Sequence, residues 1–126
     1  MKLIIAGGRD FLNTHIMEGV LGILQDNNLI PDRPELVCGM ARGADMTAHM
    51  IFKHYGLPIH EFKPDWNIGR HAGFLRNEQM GRFADAAVIF WDGESRGTKH
   101  MISFMRTLRK PMWVYDYEGR PRSNHP

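Results

Sequence analysis

Three short segments of the sequence each combine glycines with one arginine. They are residues 7–11 (GGRDF), 39–45 (GMARGAD) and 92–98 (DGESRGT). Glycine lets backbone N–H groups approach an anion closely, arginine supplies paired donors for a phosphate, and a helix that begins just beyond adds its partly positive end. One such segment alone is equally compatible with an ordinary turn, but together the three predict a phosphate-binding site. The candidate residues are Gly7, Gly8, Arg9, Gly39, Arg42, Gly43, Gly93, Ser95, Gly97 and Thr98.

A fourth segment, between residues 63 and 77, carries further candidates for ligand binding: Trp66, Arg70, Arg76 and Asn77. A tryptophan can stack on a base, and an arginine can bind a second phosphate. A structural role explains the same residue types, since Trp66 can cap the core while the arginines pair with Asp65 or Glu78. Both interpretations stay open from the sequence.

Several known signatures do not fit these segments. Residues 7–10 do not match the G-x-G-x-x-G of dinucleotide-binding proteins, and no Gly-Lys-Ser/Thr closes a P-loop, which disfavours a dehydrogenase and an ATPase. Ser95 lies in a G-x-S-x-G string, but the later histidines, His100 and His125, are poorly placed for a catalytic triad. The seven histidines and the single cysteine show no metal-ligand spacing. We therefore expect no metal and no cofactor.

The elements that must position these residues alternate regularly along the chain. A length of 126 residues with 43% hydrophobic residues predicts one domain. Helical patterns separate five strand-like apolar runs, which are residues 3–6, 36–38, 58–62, 86–91 and 112–115. The alternation predicts an α/β fold, a Rossmann-like open parallel sheet of about five strands in the order 3-2-1-4-5 with helices on both faces. We assign residues 1–117 to this domain and 118–126 to a flexible C-terminal tail.

This architecture predicts where the glycine-rich segments meet. In open parallel sheets, ligands bind outside the carboxyl ends of the strands, at the point where the winding reverses. Here that point lies between the first and fourth strands, so the loops after strands one, two and four should converge. The apolar periodicity also predicts the buried helix faces: Ile16, Val20, Ile23 and Leu24 in the first helix, and Ala44, Ala48, Ile51, Phe52 and Tyr55 in the second.

The charges are nearly balanced overall but unevenly placed. Lys and Arg number 16 against 14 Asp and Glu, a net charge of +2 that does not indicate a protein built to bind a long polyanion. Acidic residues such as Glu18 and Asp26 map far from the predicted carboxyl edge. The arginines that map near that edge are Arg9, Arg42, Arg70, Arg76 and Arg96. We therefore expect a small anionic ligand and no nucleic-acid partner.

The sequence also predicts the compartment. No apolar run approaches the roughly 20 residues of a membrane span, and the first apolar run reaches Gly7 too early for a signal peptide. A single cysteine, Cys38, excludes an internal disulfide. We expect a cytoplasmic protein without membrane association.

Several separated motifs, taken in order, resemble one known family. They are residues 7–11, 39–45, 64–66 (PDW), Gly69, 72–73, 76–77, Met80, 84–85 and 91–98. From about residue 3 to 115 the chain resembles the YspA-like family of the SLOG superfamily. The resemblance implies a Rossmann-like sheet and a ligand of the nucleotide, nucleotide-sugar or ADP-ribose type. Relatives include the Lonely Guy phosphoribohydrolases, which cleave a base from a nucleoside monophosphate, and the DNA-processing protein DprA, whose own loop resembles residues 39–45.

One departure limits the chemistry that this resemblance implies. The phosphoribohydrolases carry a P-G-G-x-G-T-x-x-E motif with a catalytic glutamate. Aligning residues 97–98 with its Gly-Thr puts Met101 in the glutamate position, and the preceding Pro-Gly-Gly is absent. The catalytic acid of those enzymes therefore cannot be transferred to this chain.

A different carboxylate would have to serve if the chain is an enzyme. Cleavage of an N-glycosidic bond needs a carboxylate near the ribose, and we name Asp45 and Asp10 as the candidate catalytic residues, beside Asp92 and Glu94. Asp45 at a helix start is equally suited to cap the helix or to bind ribose hydroxyls, and Asp10 to orient Arg9.

These observations lead to one expected function and two alternatives. We expect a protein that binds a nucleotide or an ADP-ribose or nucleotide-sugar type ligand, as a sensor or sequestering protein. The alternatives are a phosphoribohydrolase-like N-glycosidic hydrolase and a DprA-like binder of single-stranded DNA. We also expect a homo-oligomer, because the relatives commonly assemble and the helices of so short a chain often leave apolar sheet surface uncovered.

Overall fold

The computed structural model describes residues 1–122 and consists of one parallel sheet flanked by helices. The strands are β1 (Lys2–Gly7), β2 (Glu35–Cys38), β3 (Ile59–Glu61), β4 (Ala86–Phe90) and β5 (Met112–Tyr115). The helices are α1 (Thr14–Asp26), α2 (Ala44–His54), α3 (Ala72–Phe83) and α4 (Arg96–Thr107), and a short 3-10 turn spans Trp66–Ile68. All strand pairs are parallel, in the order β3-β2-β1-β4-β5. The predicted α/β, Rossmann-like class and its strand order are confirmed.

Helices cover both faces of the sheet because the central strands are apolar on both sides. β4 is buried along its whole length and β1 along its interior, as their continuous apolar runs predict. On one face, residues such as Leu3 and Val88 share a core with α1 and α2. On the other, Ile4 and Ile89 share a core with α3 and α4. β1 pairs with β2 on one side and with β4 on the other, and because the three strands are parallel, the loops that follow them leave the same edge of the sheet.

The buried faces of the first two helices differ in part from the prediction. α1 begins after Asn13, whose side chain accepts the Ile16 N–H at 3.0 Å, and its buried residues are Met17, Val20, Leu21 and Leu24. The buried face of α1 therefore follows the helical period from Met17 rather than from Ile16. Ile23 lies off this face and is exposed, so its predicted burial is wrong. Tyr55 is exposed as well, because it follows α2 as its C-cap, where it donates to Glu18 at 3.3 Å.

The segment after β5 returns along the sheet. The sequence assigns residues 118–126 to a flexible tail, but the Arg122 N–H donates to the Val114 carbonyl at 2.8 Å, and the Asp116 N–H donates to the Arg120 carbonyl at 2.8 Å. Gly119 turns this segment with a φ of 83°, a left-handed conformation that glycine adopts without strain. Residues 118–122 thus pack on the domain, while the rest of the predicted tail, 123–126, lies outside the described residues.

Each helix within residues 1–122 is too short or too polar to cross a lipid bilayer.

Candidate ligand-binding site

The carboxyl ends of the strands open into one large cleft. The loops after β1, β2 and β4, together with the segment between β3 and α3, surround a cavity of about 1010 Å³. Most of the residues that the sequence singles out line this cleft: Gly7, Arg9, Gly39, Arg42, Asp45, Trp66, Arg70, Arg76, Asn77, Ser95, Gly97 and Thr98. The structure therefore brings the three glycine-arginine segments and the 63–77 segment to one place.

Gly8 and Asp10 lie beside the cleft rather than in its lining. The Tyr117 hydroxyl donates to Asp10 Oδ1 at 2.6 Å, and a Cβ on Gly8 would overlap that same hydroxyl. Glycine is therefore required at position 8 so that Tyr117 can pack against the loop. Both residues serve the contact between the β1 loop and the segment after β5.

Gly43 and Gly93 also lie outside the cleft lining, and both have a left-handed backbone. Gly43 has a φ of 83°, and a Cβ there would overlap the backbone of Gly8 and Arg9. Its contact packs the β2 loop against the β1 loop. Gly93 has a φ of 86°, and its Cβ position lies 3.0 Å from the Arg122 guanidinium. These two glycines shape the loops that carry the cleft residues.

Asp45 forms part of the floor of the cleft. It lies in the first turn of α2 with 5% of its surface exposed, and its Oδ2 accepts the Ala41 N–H at 3.2 Å. Burial raises the pKa of Asp45 to about 6, although the Ala41 N–H and the Arg76 guanidinium both favour its charged form. The structure thus places one of the two candidate catalytic carboxylates in the cleft, with a pKa near neutrality.

Arg76 reaches the same floor from α3. Its Nη1 donates to the Gly39 carbonyl, and its Nε donates to Asn77 Oδ1 at 3.0 Å. A Cβ on Gly39 would lie 2.8 Å from Asp45 Oδ2 and 3.0 Å from Arg76 Nη1. Glycine at position 39 is what allows the carboxylate and the guanidinium to approach the end of β2 together.

Met40 has an unusual backbone conformation at the edge of this floor. Its φ is 63°, in the left-handed region that non-glycine residues seldom adopt and that costs about 1–2 kcal/mol per residue. Met40 lines the cleft, so this strain lies in the loop that presents Gly39 and Arg42 to it. Strained residues of this kind cluster at ligand-binding sites, where the surrounding structure holds them in place.

The first turn of α4 forms the opposite wall of the cleft. Ser95 caps this helix, since its Oγ accepts the Thr98 N–H at 3.4 Å. Asp92 Oδ1 accepts the Glu94 and Ser95 N–H groups at 2.8 and 2.9 Å, and these backbone donors lower the pKa of Asp92. Asp92 therefore orders the loop before the helix.

Asn77 joins this wall to α3. It is buried, and its Nδ2 donates to the Gly97 carbonyl at 3.2 Å. Its Oδ1 also accepts from Arg76 Nε, so Asn77 links the Arg76 guanidinium to the start of α4. The side chain that the sequence named as a ligand-binding candidate thus also has a structural role.

The cleft is strongly cationic. Among residues 1–122, one carboxylate lines it, that of Asp45. The cationic side chains in the lining are Arg9, Arg42, Lys63, Arg70 and Arg76. Such an excess within a concave site attracts anions. Arg96, which the sequence also mapped near the edge, lies outside the lining.

Comparisons of the chain with protein-family models, with curated proteins and with solved structures find no match. The ligand class must therefore be inferred from the chemistry of the cleft. Within the described part of the chain, no group of three or more His, Cys, Asp and Glu side chains is placed to hold a metal ion.

Sequence reasoning missed Phe74, Met46 and Met101, which also line the cleft. The helical period of α3 could have identified Phe74, because residues 73, 74, 76, 77 and 80 share one face of that helix. All five line the cleft. Once Arg76 and Asn77 were candidates, the same face pointed to Phe74. Met101 carried no polar signal, and it is buried at the position that the phosphoribohydrolase motif gives to glutamate.

Proposed function

We propose that this cleft binds a nucleotide or a ligand of the ADP-ribose or nucleotide-sugar type, and that the protein acts as a sensor or sequestering protein for it. The observation that carries the proposal is the concentration of five cationic side chains around one buried carboxylate in a single cleft. Guanidinium groups bind phosphate through paired, charge-assisted hydrogen bonds. A ligand with more than one phosphate oxyanion matches this arrangement best.

The helix starts at the cleft support the same ligand class. The first turns of α2 and α4 contribute Asp45 and Thr98 to the lining. The N-terminal end of a helix carries a partial positive charge and N–H groups that suit phosphate oxygens. At Gly97, no atom beyond the adjoining residues and the backbone of α4 itself lies within 4 Å of the position that a Cβ would occupy, so this side of the helix start is open to a ligand.

The volume of the cleft favours a ligand larger than a bare phosphate. Ligand sites in proteins commonly have volumes of about 300–1,000 Å³, and this cleft, at about 1010 Å³, is at the upper end. A nucleotide with a second sugar, as in ADP-ribose or a nucleotide sugar, would use such a volume more fully than a mononucleotide would.

We also propose that the chain is a member of the YspA-like family of the SLOG superfamily. The motifs that carry the resemblance contribute much of the cleft lining, through residues 7–11, 39–45, 64–66, 72–73, 76–77, 91–98 and Met80. The proposal of a nucleotide-type ligand therefore has two supports, the charge of the cleft and the motifs that form it. A cytoplasmic location and a homo-oligomeric state remain part of this proposal, and sedimentation at micromolar concentration tests the latter.

An N-glycosidic hydrolase is the second candidate function, and the placement of Asp45 favours it. This carboxyl lies in the cleft with a pKa near that of a general acid or base at neutral pH. Asp10, in contrast, lies beside the cleft on Tyr117. Incubation with a panel of nucleoside monophosphates and NAD derivatives, followed by chromatography for free base, tests this function. Release that Asp45→Asn abolishes would support it, and no release across the panel would leave binding alone.

Calorimetry with AMP, ADP, ADP-ribose and UDP-glucose tests the leading proposal. We expect saturable binding of at least one of these ligands, and native mass spectrometry of freshly purified protein should show a bound phosphate-containing molecule. If no ligand of the panel binds and no such molecule accompanies the protein, the proposal is wrong. A steep loss of affinity for single-stranded DNA with added salt would instead support the DprA-like alternative.

A further inference from the structure

Two large aromatic side chains at the cleft remain exposed to solvent. Trp66 is 59% exposed and Phe74 is 41% exposed, and both line the cavity. Their neighbours Ile68 and Leu75 are similarly exposed, at 58% and 44%, but lie outside the lining. Trp66 and Ile68 belong to the same 3-10 turn, and Phe74 and Leu75 are adjacent in α3, so the chain offers a matched control for each aromatic residue.

Local hydrogen bonds order the turn that carries Trp66. Asp65 caps the 3-10 turn by accepting the Asn67 N–H at 3.1 Å, and the Gly69 N–H donates to the Trp66 carbonyl at 3.2 Å. The ring lies over Gly73, since Trp66 Cη2 is 3.6 Å from the position that a Cβ on Gly73 would take. The absence of a side chain at Gly73 leaves the space beside the indole open.

The Phe74 ring stacks on the imidazole ring of His100. The two ring centroids are 4.3 Å apart, with an interplanar angle of 16°. His100 in turn lies 3.4 Å from Asn77 Nδ2 and 3.5 Å from Glu78 Oε2. His100 thus supports one face of Phe74, while the side chain remains partly exposed at the cleft.

The Trp66 ring lies next to the Arg76 guanidinium. Arg76 Nη2 is 3.9 Å from the same Gly73 Cβ position that Trp66 approaches to 3.6 Å. The indole and the guanidinium therefore border one small space, with the inner floor of Gly39 and Asp45 beyond it. A molecule that fills both parts needs a flat apolar ring and, a short distance away, an anionic group.

We propose that Trp66 and Phe74 form a subsite for the planar base of the ligand, beside the phosphate-binding residues Arg42 and Arg76. The inference rests on the proposed function and adds to it an orientation, with phosphate at the floor and base at the rim. It also adds selectivity, because a bare polyphosphate can use the cations but cannot use the rings. Stacking on aromatic side chains accepts any base, so the subsite selects for the presence of a base rather than for its identity.

Titrations with ADP, GDP, UDP, CDP and inorganic diphosphate test this subsite. For wild-type protein we expect the tightest of the four nucleotides to bind more tightly than diphosphate. Trp66→Ala should weaken that nucleotide by about 5- to 100-fold and leave the diphosphate affinity unchanged. Phe74→Leu should weaken the nucleotide less, and the controls Ile68→Ala and Leu75→Ala should leave both affinities unchanged. Nucleotide binding should also change tryptophan fluorescence, and Trp66→Ala should remove that change.

The outcomes separate this inference from the proposed function. If diphosphate binds as tightly as every nucleotide, or if Trp66→Ala does not alter nucleotide affinity while Arg42→Ala weakens it, the base subsite is wrong and the phosphate site stands. If the wild-type protein binds none of these probes, neither ADP-ribose nor UDP-glucose, and no phosphate-containing molecule accompanies it in native mass spectrometry, the proposed function fails and the subsite fails with it. An equal loss for nucleotide and diphosphate in Trp66→Ala would show that the tryptophan supports the cleft rather than the base.

Discussion

Asp45 and Arg76 approach each other across the α-carbon of Gly39, at the floor of the cleft. Their Oδ2 and Nη1 atoms lie 2.8 and 3.0 Å from the position that a Cβ on Gly39 would occupy. The carboxylate comes from the first turn of α2 and the guanidinium from α3, on different faces of the sheet. The end of β2 is therefore the point where residues from both helical layers meet, and only glycine leaves room for both.

Substituting Gly39 should separate this pair. In Gly39→Ala the new methyl group would press on both charged groups, and overpacking of a buried site costs about 1–3 kcal/mol. We expect a lower free energy of unfolding by that amount in urea denaturation, together with weaker nucleotide binding.

The matched control for this variant is Gly97→Ala. Gly97 also lines the cleft and lies in the first turn of α4, but no atom beyond its neighbours and the backbone of that helix lies within 4 Å of its Cβ position. Alanine at a compatible helical position stabilises a protein by about 0.4–1 kcal/mol, so this variant should be at least as stable as wild type. Equal stability of the two variants would contradict the close approach at Gly39.

The raised pKa of Asp45 predicts how stability depends on pH. Its pKa is about 6 in the folded protein against 3.8 for an ordinary aspartate, so its favourable contribution is fully present below pH 3.8 and is lost as pH rises through about 6. A shift of this size corresponds to roughly 3 kcal/mol. Asp45→Asn removes this charge, and we expect the variant to gain stability over wild type by up to about that amount as pH rises from 4 to 7.

Urea denaturation at several values between pH 4 and 7 measures this difference. Parallel curves for wild type and Asp45→Asn would contradict the buried, destabilised carboxylate. Asp92 supplies a control of opposite sign, since backbone donors lower its pKa. Its contribution is present above its ordinary pKa and is lost as pH falls through its folded value, so Asp92→Asn should be less stable than wild type at pH 7.

The fold could be predicted because the signals that define it are local. β1 and β4 are continuous apolar runs that end at glycine or polar loops, and the alternation with helices leaves few chain paths. Convergence of the loops then follows from the strand order, so most of the cleft residues were available from the sequence. The face of α1 was missed at Ile23 because two overlapping apolar tracks, starting at Ile16 and at Met17, fit the same helix.

The part of the site that could not be predicted depends on contacts between distant residues. At the end of β1 and in the loop after it, Gly7 and Arg9 line the cleft, while Gly8 and Asp10 contact Tyr117. Arg9 and Asp10 lie in a turn that the Phe11 N–H closes on the Gly8 carbonyl, and Asp10 accepts from Tyr117, which is 107 residues away. No local pattern in the sequence carries that information.

The Tyr117 contact predicts a variant that changes stability without changing ligand binding. Tyr117→Phe removes the hydroxyl that donates to Asp10 at 2.6 Å and keeps the ring that packs edge-on against Phe11. Loss of one such hydrogen bond costs roughly 0.5–1.5 kcal/mol. We expect a small decrease in the free energy of unfolding and an unchanged nucleotide affinity by calorimetry. A loss of affinity comparable to that of Arg42→Ala would instead place the Tyr117–Asp10 pair at the ligand.

The contribution of the cleft arginines can be measured against an arginine outside the lining. Arg42 is exposed at the cleft, and Arg96 is exposed at the start of α4 outside it. A hydrogen-bonded charge pair contributes roughly 1.5–3 kcal/mol, so Arg42→Ala should weaken the tightest nucleotide by on the order of 10- to 100-fold. Arg96→Ala removes the same charge from the same edge of the sheet, and its effect should be limited to the weak, salt-dependent attraction of a surface charge. Calorimetry at two salt concentrations separates the two contributions, because direct coordination of phosphate by Arg42 persists when the long-range attraction is screened. Equal losses in both variants that vanish at high salt would mean that the cleft attracts anions without coordinating them.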